Sequence, residues 1–316
     1  MKQKRVLIGS CGGLTGCYLA RRFQKMDNIT VIGADVNSCH ATKLFLDEFV
    51  QLPPVADSDF RDALTDVLVR YRIDYYLPTH SQEIKTASKY ESWLRKQWGG
   101  GFLVSPYETY EKLDSKRAAN LNLLSAGLQV PRLIEDFIPD KEYPIFMKAD
   151  VGSGGKMAQL VESEALHREY ARLYPDCSFY EVIQGTEYTV DCMFDNGGRL
   201  IAHNQRVRLK HMGGAVIVTQ NNYDFDILPY LKKIEVAFTI KGCVNFQYIL
   251  SQSIPYFIDI NLRYASGGLP LTVESGIDVP RILLDIWTGN PLDYVQSCGA
   301  DKKIMYRYFE EWYEPK

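Results

Sequence analysis

Short apolar runs alternate with helical patterns through the first hundred residues, and this alternation constrains the fold more than any other feature. The pattern predicts strands at 5–9, 30–34, 75–78 and 101–104, and helices at 14–26 and 59–71. Strands that alternate with helices usually pair in parallel, because each helix carries the chain back across the sheet. We therefore predict an α/β domain with a doubly wound sheet over residues 1–105, ending near Ser105-Pro106.

Strands dominate the chain after residue 110. A helix from Ser115 to Ala126 is predicted to end at Gly127, which suits the C′ position of a helix. The strands are predicted at 145–149, 158–161, 179–183, 187–194, 199–209, 244–250 and 255–261, with an edge strand near 305–309. Such a series favours a mixed, mainly antiparallel α+β domain over residues 106–316.

Composition excludes several classes of protein. The net charge of the 316 residues is 36 − 39 = −3, so no basic excess predicts a nucleic-acid surface. The sequence has no apolar run of about 18 residues, the length that a membrane helix needs. The seven cysteines include no Cys-x-x-Cys pair, which argues against zinc and disulfide frameworks. A reduced, cytoplasmic protein without membrane or nucleic-acid partners is expected.

A strand near the end of the second half carries oxygen ligands on one face. Asp259 and Asn261 are two residues apart in an alternating run, so both side chains point to the same face, with Arg263 just beyond. Hard oxygen ligands beside a cation suit a Mg²⁺-nucleotide, although a polar face in contact with solvent is the simpler reading. Gln247 is predicted to lie opposite Asp259 if the hairpin has an odd-length loop centred near Ser253.

A lysine and a glycine-rich loop form a second candidate. Lys148 lies on an apolar strand and so needs an anionic partner, and the loop Gly152-Ser153-Gly154-Gly155-Lys156 follows it. Glycines let a backbone approach phosphate closely, although the loop lacks the Walker A spacing. The alternative is a hairpin turn beside a lysine whose ammonium reaches solvent.

Two further segments could hold a nucleoside. The strand that contains Glu181, Val182 and Ile183 ends in open backbone, which can hydrogen-bond an adenine edge. The carboxylate of Glu187 can hold ribose hydroxyls. Taken singly, these are also ordinary residues of a surface strand.

The glycine-rich turn between Gly9 and Gly16 opens a helix and precedes Asp35, as in dinucleotide-binding folds. Position 11 is a cysteine where that fingerprint needs glycine, so a tight strand-to-helix turn is the favoured interpretation. His80 and Glu83 follow a predicted parallel strand, where sites in open α/β sheets form. They are either part of a carboxylate-binding site or an ordinary loop.

In their order along the chain, these segments resemble the ATP-grasp superfamily, in particular its carbamoyl-phosphate-synthase-like branch of carboxylate–amine ligases. The resemblance covers nearly the whole chain. It rests on the segments already described together with Asp114-Ser115-Lys116-Arg117 and Leu128-Gln129-Val130-Pro131-Arg132. It implies a Rossmann-like pre-ATP-grasp domain followed by a two-lobed ATP-grasp domain, with a mobile lid lobe over about 116–185.

The resemblance also implies roles for individual residues. Lys116 and Lys148 would bind ATP phosphates under the 152–156 loop, Glu181, Val182 and Ile183 would border adenine, and Glu187 would bind ribose. Gln247, Asp259 and Asn261 would hold Mg²⁺ or Mn²⁺. Arg263 and Arg208 would act on the transferred phosphoryl group, with Lys210 and Gly213 near the acceptor. Small-molecule carboxylate and amine substrates and a homodimer are the implied partners.

This sequence departs from the family pattern at the metal site. Only Asp259 among the three proposed ligands is acidic, where many relatives carry two acidic ligands, and Leu262 replaces a common proline. The leading hypothesis is an ATP-dependent ligase that forms a C–N bond through an acyl phosphate. An ATP-grasp phosphotransferase, a weakly active nucleotide-binding protein and an NAD(P)-dependent oxidoreductase are the rivals.

Overall fold

Three β-sheets organise the part of the chain that the computed structural model describes, namely residues 3–152, 157–212, 215–292, 296–297 and 302–313. The strands are β1 (Lys4–Gly9), β2 (Ile29–Asp35), β3 (Glu48–Gln51), β4 (Tyr75–Leu77), β5 (Leu133–Ile134), β6 (Ile145–Ala149), β7 (Gln159–Val161), β8 (Cys177–Glu181), β9 (Thr186–Phe194), β10 (Leu200–Met212), β11 (Ala215–Asn221), β12 (Gly242–Ser251), β13 (Ile254–Asn261), β14 (Gln296–Ser297) and β15 (Ile304–Tyr306). The helices are α1 (Leu14–Phe23), α2 (Phe60–Arg70), α3 (Ser81–Lys89), α4 (Glu91–Gln97), α5 (Tyr107–Leu113), α6 (Lys116–Ser125), α7 (Glu164–Leu173), α8 (Leu228–Ala237), α9 (Leu269–Glu274) and α10 (Val279–Thr288).

The first sheet is parallel, as the alternation of strands and helices predicts. Its order is β3-β2-β1-β4, and every neighbouring pair runs in the same direction. The predicted strand at 101–104 is wrong, because only Gly101 forms a single bridge, to Tyr75. Phe102, Leu103 and Val104 are buried, so this run is apolar because it enters the interior and not because it pairs in a sheet.

The second sheet has the order β13-β12-β9-β10-β11-β15, with β14 beside β10. All its pairs are antiparallel except β10 with β14, which agrees with the α+β expectation for the second half. One face is apolar and packs into the core through side chains such as Tyr188, Val190, Phe246 and Tyr248. The opposite face is polar around Glu187, Thr189 and Gln247, whereas Met193 and Ala202 on that face pack into a separate apolar cluster.

A third, smaller sheet has the order β5-β8-β6-β7 and its own apolar core. Helix α6 begins with a Ser115 cap and is followed by Gly127 at φ +76°, as predicted, but it packs against β13 of the second sheet. The predicted lid range of 116–185 is therefore wider than the small sheet, which begins at Leu133.

The hairpin between β12 and β13 combines a tight turn with a bulge. The turn has two residues, Gln252 and Ser253, at φ +47° and +64°, and Ser251 pairs with Ile254. The register shifts between Gln247 and Tyr248, so that Gln247 pairs with Asp259. The predicted odd-length loop is wrong, but the extra residue on β13 restores the predicted pairing.

The two halves of the sequence share their interior. The largest apolar cluster joins Leu7 and Tyr76 to Phe246 and Phe257. A second cluster joins residues such as Val6 and Leu19 to Tyr264 and Leu283. The domain boundary at residue 105 remains a prediction. Among the described residues, every helix is too short or too polar to cross a membrane.

Candidate functional site

The polar face of the second sheet gathers most of the residues singled out in the sequence. Gln247 pairs with Thr189 on one side and with Asp259 on the other, which puts these three side chains in one row. Neighbouring positions on these three strands and on β10 add further polar groups: Glu187 and Asp191 on β9, Arg206 and Arg208 on β10, Asn245 on β12, and Asn261 on β13.

The three proposed metal ligands lie together on the β12–β13 hairpin. Asn261 Nδ2 donates to Asp259 Oδ2 at 3.1 Å and to Asn245 Oδ1 at 3.3 Å, so the Asn261 carbonyl oxygen is not used in these bonds. The Lys116 ammonium lies 3.7 Å from Asp259 Oδ1. One carboxylate and two amide oxygens form a hard donor set, which fits Mg²⁺ bound partly through water.

Lys148 is a half-buried cation that lacks a carboxylate contact within salt-bridge distance among the described residues. Its Nζ donates to the Ile258 carbonyl at 2.8 Å and lies 4.4 Å from the centre of the Tyr180 ring. Burial lowers the pKa of Lys148 to about 8, although Asp259 opposes that effect. A half-buried ammonium with so little compensation is suited to an anion such as a nucleotide phosphate.

Lys116 ties helix α6 to the start of the glycine-rich loop. Its side chain donates to the Gly152 carbonyl at 3.1 Å, and its backbone N–H donates to Asp150 at 2.8 Å. Gly152 has φ +134°, which L-residues with side chains rarely adopt. The predicted phosphate-binding residues Ser153, Gly154 and Gly155 lie outside the described residues, as do Lys156 and Gly213.

The predicted adenine border differs from expectation in one respect. Strand β8 ends at Glu181 and not at residue 183, which leaves Val182 and Ile183 in the following connection. The Glu181 carboxylate accepts a hydrogen bond from the Arg132 backbone N–H at 2.8 Å. This bond ties the end of β8 to the residue that precedes β5. Glu187 lies 3.4 Å from the Arg208 guanidinium.

The two predicted catalytic arginines are both largely withdrawn from water. Arg208 Nε donates to Thr189 Oγ1 at 3.1 Å, and Arg263 Nη1 donates to the Tyr264 carbonyl at 3.1 Å. Burial lowers the pKa of each, while Glu187 raises that of Arg208 and Asp259 raises that of Arg263. Burial also lowers the pKa of His80, and the nearby charge of Arg263 adds to this effect.

Sequence reasoning missed a buried ion pair on the same face. Arg206 donates to both Asp191 oxygens, at 2.9 and 3.1 Å, and Thr272 donates to Asp191 Oδ2 at 2.7 Å. A side chain at Gly268 would overlap the Arg206 guanidinium. The alternation of polar residues along β10 was the available signal, but it does not show which of them are buried.

Arg307, which follows β15, was also missed. It donates to the Ser266 carbonyl at 3.3 Å, and the charge of Arg206 contributes to lowering its pKa, after burial. The Nη1 atoms of Arg206 and Arg307 are both buried and have no hydrogen-bond partner among the described residues. Two guanidinium groups that each keep an unused, buried Nη1 are suited to an anion. No local sequence pattern marks Arg307, because its role depends on an edge strand pairing with β11.

The glycine-rich turn of the first sheet has a local structural role. A side chain at Gly9 would overlap the Glu83 carboxylate, which accepts hydrogen bonds from Ser10 and Tyr76, each at 2.5 Å. Burial raises the pKa of Glu83 to about 7. Asp35 Oδ2 accepts a bond from the Gly12 backbone N–H at 2.8 Å, so this carboxylate holds the turn itself.

Comparison with known proteins relates part of this chain to a described family. Residues 175–311 match the family model described as ATP-grasp in the biosynthetic pathway with Ter operon. The carbamoyl phosphate synthase large chain of Clostridium acetobutylicum is 27% identical over 212 residues, which are 60% of this chain and 19% of that protein. Biotin carboxylase of Halalkalibacterium halodurans is 29% identical over 178 residues, 51% of this chain and 38% of that protein. The matches thus span less than two fifths of these relatives.

Solved structures show the same fold. The biotin carboxylase domain of the 2-oxoglutarate carboxylase of Hydrogenobacter thermophilus, a dimer in complex with MgADP, ADP and bicarbonate, superposes with a TM-score of 0.73 at 17% identity, covering 94% of this chain and 72% of that one. The L-amino acid ligase of Bacillus licheniformis gives a TM-score of 0.69 at 17% identity, covering 93% and 76%.

The match over residues 175–311 confirms the resemblance to the ATP-grasp superfamily. The curated relatives, which include carbamoyl phosphate synthase large chains, confirm the resemblance to the carbamoyl-phosphate-synthase-like branch.

Proposed function

We propose that this chain is an ATP- and Mg²⁺-dependent ligase that joins a carboxylate to an amine through an acyl phosphate. The observation that carries the proposal is the convergence of Lys116 and Lys148 on the metal-ligand strand. The Lys148 ammonium bonds to Ile258, the residue before Asp259, while the Lys116 ammonium lies 3.7 Å from the Asp259 carboxylate. Two cations next to a hard oxygen donor set suit a metal–triphosphate complex.

Gln247, Asp259 and Asn261 would hold the metal ion, with Mn²⁺ as the alternative to Mg²⁺. An ion held by these residues would supply positive charge where negative charge develops during phosphoryl transfer. Lys116 and Lys148 would bind the phosphates, and the loop that contains Gly152, Ser153, Gly154 and Gly155 would cover them. Adenine would be bordered by Glu181, Val182 and Ile183. The Glu187 carboxylate would give up its contact with Arg208 and bind a ribose hydroxyl instead.

The proposed reaction has two steps. First, an oxygen of the substrate carboxylate attacks the γ-phosphorus of ATP, and the bond to the bridging oxygen breaks with its electrons leaving on ADP. Second, the amine nitrogen attacks the acyl carbon of the acyl phosphate, phosphate leaves with the C–O electrons, and the amine loses a proton to water. Arg263 and Arg208 would neutralise the transferred phosphoryl group, and excluding water would protect the acyl phosphate from hydrolysis.

The acid substrate would sit near Arg206 and Arg307. Their buried Nη1 atoms have no partner among the described residues, and the two side chains approach through β10 and the segment after β15. A carboxylate would give each of these two Nη1 atoms a charged hydrogen bond, in addition to the bonds that Arg206 makes with Asp191. This supports a substrate that carries an anionic group near the Ser266–Gly268 segment.

The first test measures ADP release with panels of acids and amines, using wild type, Lys148→Ala and the matched control Lys141→Ala, whose lysine is exposed. We expect that ADP release needs both an acid and an amine, that it is lost in Lys148→Ala, and that it is retained in Lys141→Ala. Hydroxylamine should trap the acyl phosphate as a hydroxamate. Full turnover with an acid alone, giving a stable phosphorylated product, would instead establish the phosphotransferase.

A weakly active nucleotide-binding protein is the second candidate function, because only one of the three proposed metal ligands is a carboxylate. That candidate predicts Mg²⁺-dependent binding of a non-hydrolysable ATP analogue without ADP release for any pair of substrates.

Four further features stay predictions: a Rossmann-like first domain over residues 1–105, a mobile lid, a homodimer and a cytoplasmic location. An NAD(P)-dependent oxidoreductase is disfavoured, because Cys11 stands where the dinucleotide-binding fingerprint needs glycine.

A further inference from the structure

Three potential metal ligands meet at the carboxyl edge of the first sheet, on elements other than the β12–β13 hairpin that carries the proposed Mg²⁺ site. Cys11 follows β1, Asp35 ends β2, and His40 precedes a short 3₁₀ turn. One ligand atom from each side chain lies within 4.8 Å of the other two. We propose that Cys11, Asp35 and His40 bind a divalent transition-metal ion of the zinc type.

The distance between the two softer ligands supports this choice of metal. Cys11 Sγ lies 3.7 Å from His40 Nε2. A tetrahedral zinc ion with a Zn–S bond of about 2.3 Å and a Zn–N bond of about 2.0 Å would hold these atoms about 3.5 Å apart. The pair therefore needs almost no rearrangement, and the Asp35 carboxylate, whose ligand atom lies within 4.8 Å of both, would need to move by at most about 1.5 Å.

The three side chains are held in place by their surroundings. The Cys11 side chain is fully buried, and the Cys11 carbonyl accepts a hydrogen bond from Thr42 Oγ1 at 2.9 Å. The His40 ring meets the edge of Phe49 with 5.3 Å between centroids, and its Nδ1 has no partner among the described residues. A metal at Nε2 would therefore supply the main polar interaction of this ring.

The electrostatic surroundings also favour a cation. The carboxylates of Asp35 and Glu83 lie near the Cys11 sulfur. A divalent ion would bind the Cys11 thiolate after the thiol proton is released to water, pair with the Asp35 carboxylate, and keep a fourth position for water or a substrate oxygen.

The test uses Co²⁺ as a spectroscopic substitute for Zn²⁺, on the reduced, chelator-treated chain without nucleotide. Thiolate ligation gives Co²⁺ a near-ultraviolet charge-transfer band, whereas the sulfur-free Mg²⁺ ligands cannot. We expect one equivalent of Co²⁺ with this band, displaced by Zn²⁺, and loss of the band in Cys11→Ser. His40→Gln should weaken binding at least tenfold, or by ~1.4 kcal/mol.

Two further variants keep the result interpretable. Cys39→Ser removes an exposed cysteine next to His40 and should leave the band intact. Gly12→Ala keeps every ligand but adds a methyl group 3.0 Å from the His40 ring and 3.1 Å from Asp35 Oδ2, so it should weaken binding. A wild-type chain without the band, a band that survives Cys11→Ser, or one that disappears in Cys39→Ser would each overturn the proposal. Wild type without the band would show that the Cys11–His40 contact is only a hydrogen bond.

Discussion

Gln247 lies directly opposite Asp259, although the turn between their strands has only two residues. With the two-residue turn alone, the register that pairs Tyr248 with Phe257 would continue and would pair Gln247 with Ile258. The extra residue on β13, between Phe257 and Asp259, restores the register just before the proposed metal ligands. The bulge therefore aims the site, a role that bulges often have near functional residues.

Removing the Asp259 carboxylate should abolish the metal dependence of nucleotide binding. Asp259→Asn keeps the size of the side chain but removes the only negative charge among the three proposed ligands. We expect the affinity for an ATP analogue to become nearly the same with Mg²⁺ and with a chelator, as measured by calorimetry. Asp66→Asn, at an exposed position on α2, is the control and should keep the wild-type response. Unchanged Mg²⁺ dependence in Asp259→Asn would move the metal site elsewhere.

Nucleotide binding should weaken as the pH rises above about 8. The lowered pKa of Lys148 means that its ammonium loses its proton from about that pH in the free protein. The part of the affinity that depends on this charge should then fall by up to about tenfold per pH unit. Titrations of an ATP analogue between pH 7 and 9.5 check this, and Lys148→Met should bind weakly with a flatter profile. Equal pH profiles for the two proteins would contradict the assignment.

The same pKa has the opposite effect on stability. The unfolded chain has the ordinary lysine pKa of 10.5, so between about pH 8 and 10.5 it binds more protons than the folded protein. The free energy of unfolding should therefore rise with pH over this interval. The stability that depends on a neutral Lys148 should be fully present above pH 10.5 and be lost as the pH falls through about 8. Denaturant titrations of wild type and Lys148→Met across this range should converge toward high pH.

Arg307 should affect the acid substrate more than the nucleotide. Charged hydrogen bonds contribute about 1.5–3 kcal/mol, so Arg307→Ala should raise the KM for the acid by roughly 10- to 100-fold. The KM for ATP should change little. Arg281→Ala, at an exposed position on α10, is the matched control. Equal increases in both KM values would indicate a general disturbance of the sheet edge and not an acid-binding role.

Gly9 and Glu83 should be energetically coupled. A methyl group at Gly9 would overlap the Glu83 carboxylate, so Gly9→Ala should lower the free energy of unfolding by about 1–3 kcal/mol. At Gly13 the nearest atom to an added Cβ is 3.8 Å away, and Gly13→Ala should be milder. Glu83→Ala removes the overlap, so the double variant should lose less stability than the two single losses added together. Additive losses in denaturant titrations would rule out this steric explanation.

The sequence predicts those parts of the fold that have a local signal. Apolar periodicity predicts the parallel order of strands and helices in the first sheet, and Gly127 marks the end of α6 at a positive φ. The buried run at 102–104 shows the limit of this reasoning, because apolar character indicates burial but not a pairing partner. The two-residue turn at Gln252 and Ser253 carries none of the usual glycine or asparagine signals.

The candidate site could be predicted wherever its residues share a strand. Asp259 and Asn261 are two residues apart, so alternation alone places them on one face. Arg206 lies on β10 and Arg307 follows β15, on the other side of β11, so only the folded sheet brings them together. The same holds for Cys11 and His40, whose separation in sequence matches none of the spacings used to recognise zinc sites.

The interleaved interior has a practical consequence for anyone who divides this chain. Val6 and Leu19 share a cluster with Leu283, and Leu7 shares another with Phe257, so both fragments produced by a cut at residue 105 would expose apolar surface that the intact chain covers. A fragment that begins at residue 106 would retain the proposed ligands of ATP and Mg²⁺ and still lack part of its own core. Fragment complementation, with both pieces produced together, suits this architecture better than expression of either piece alone.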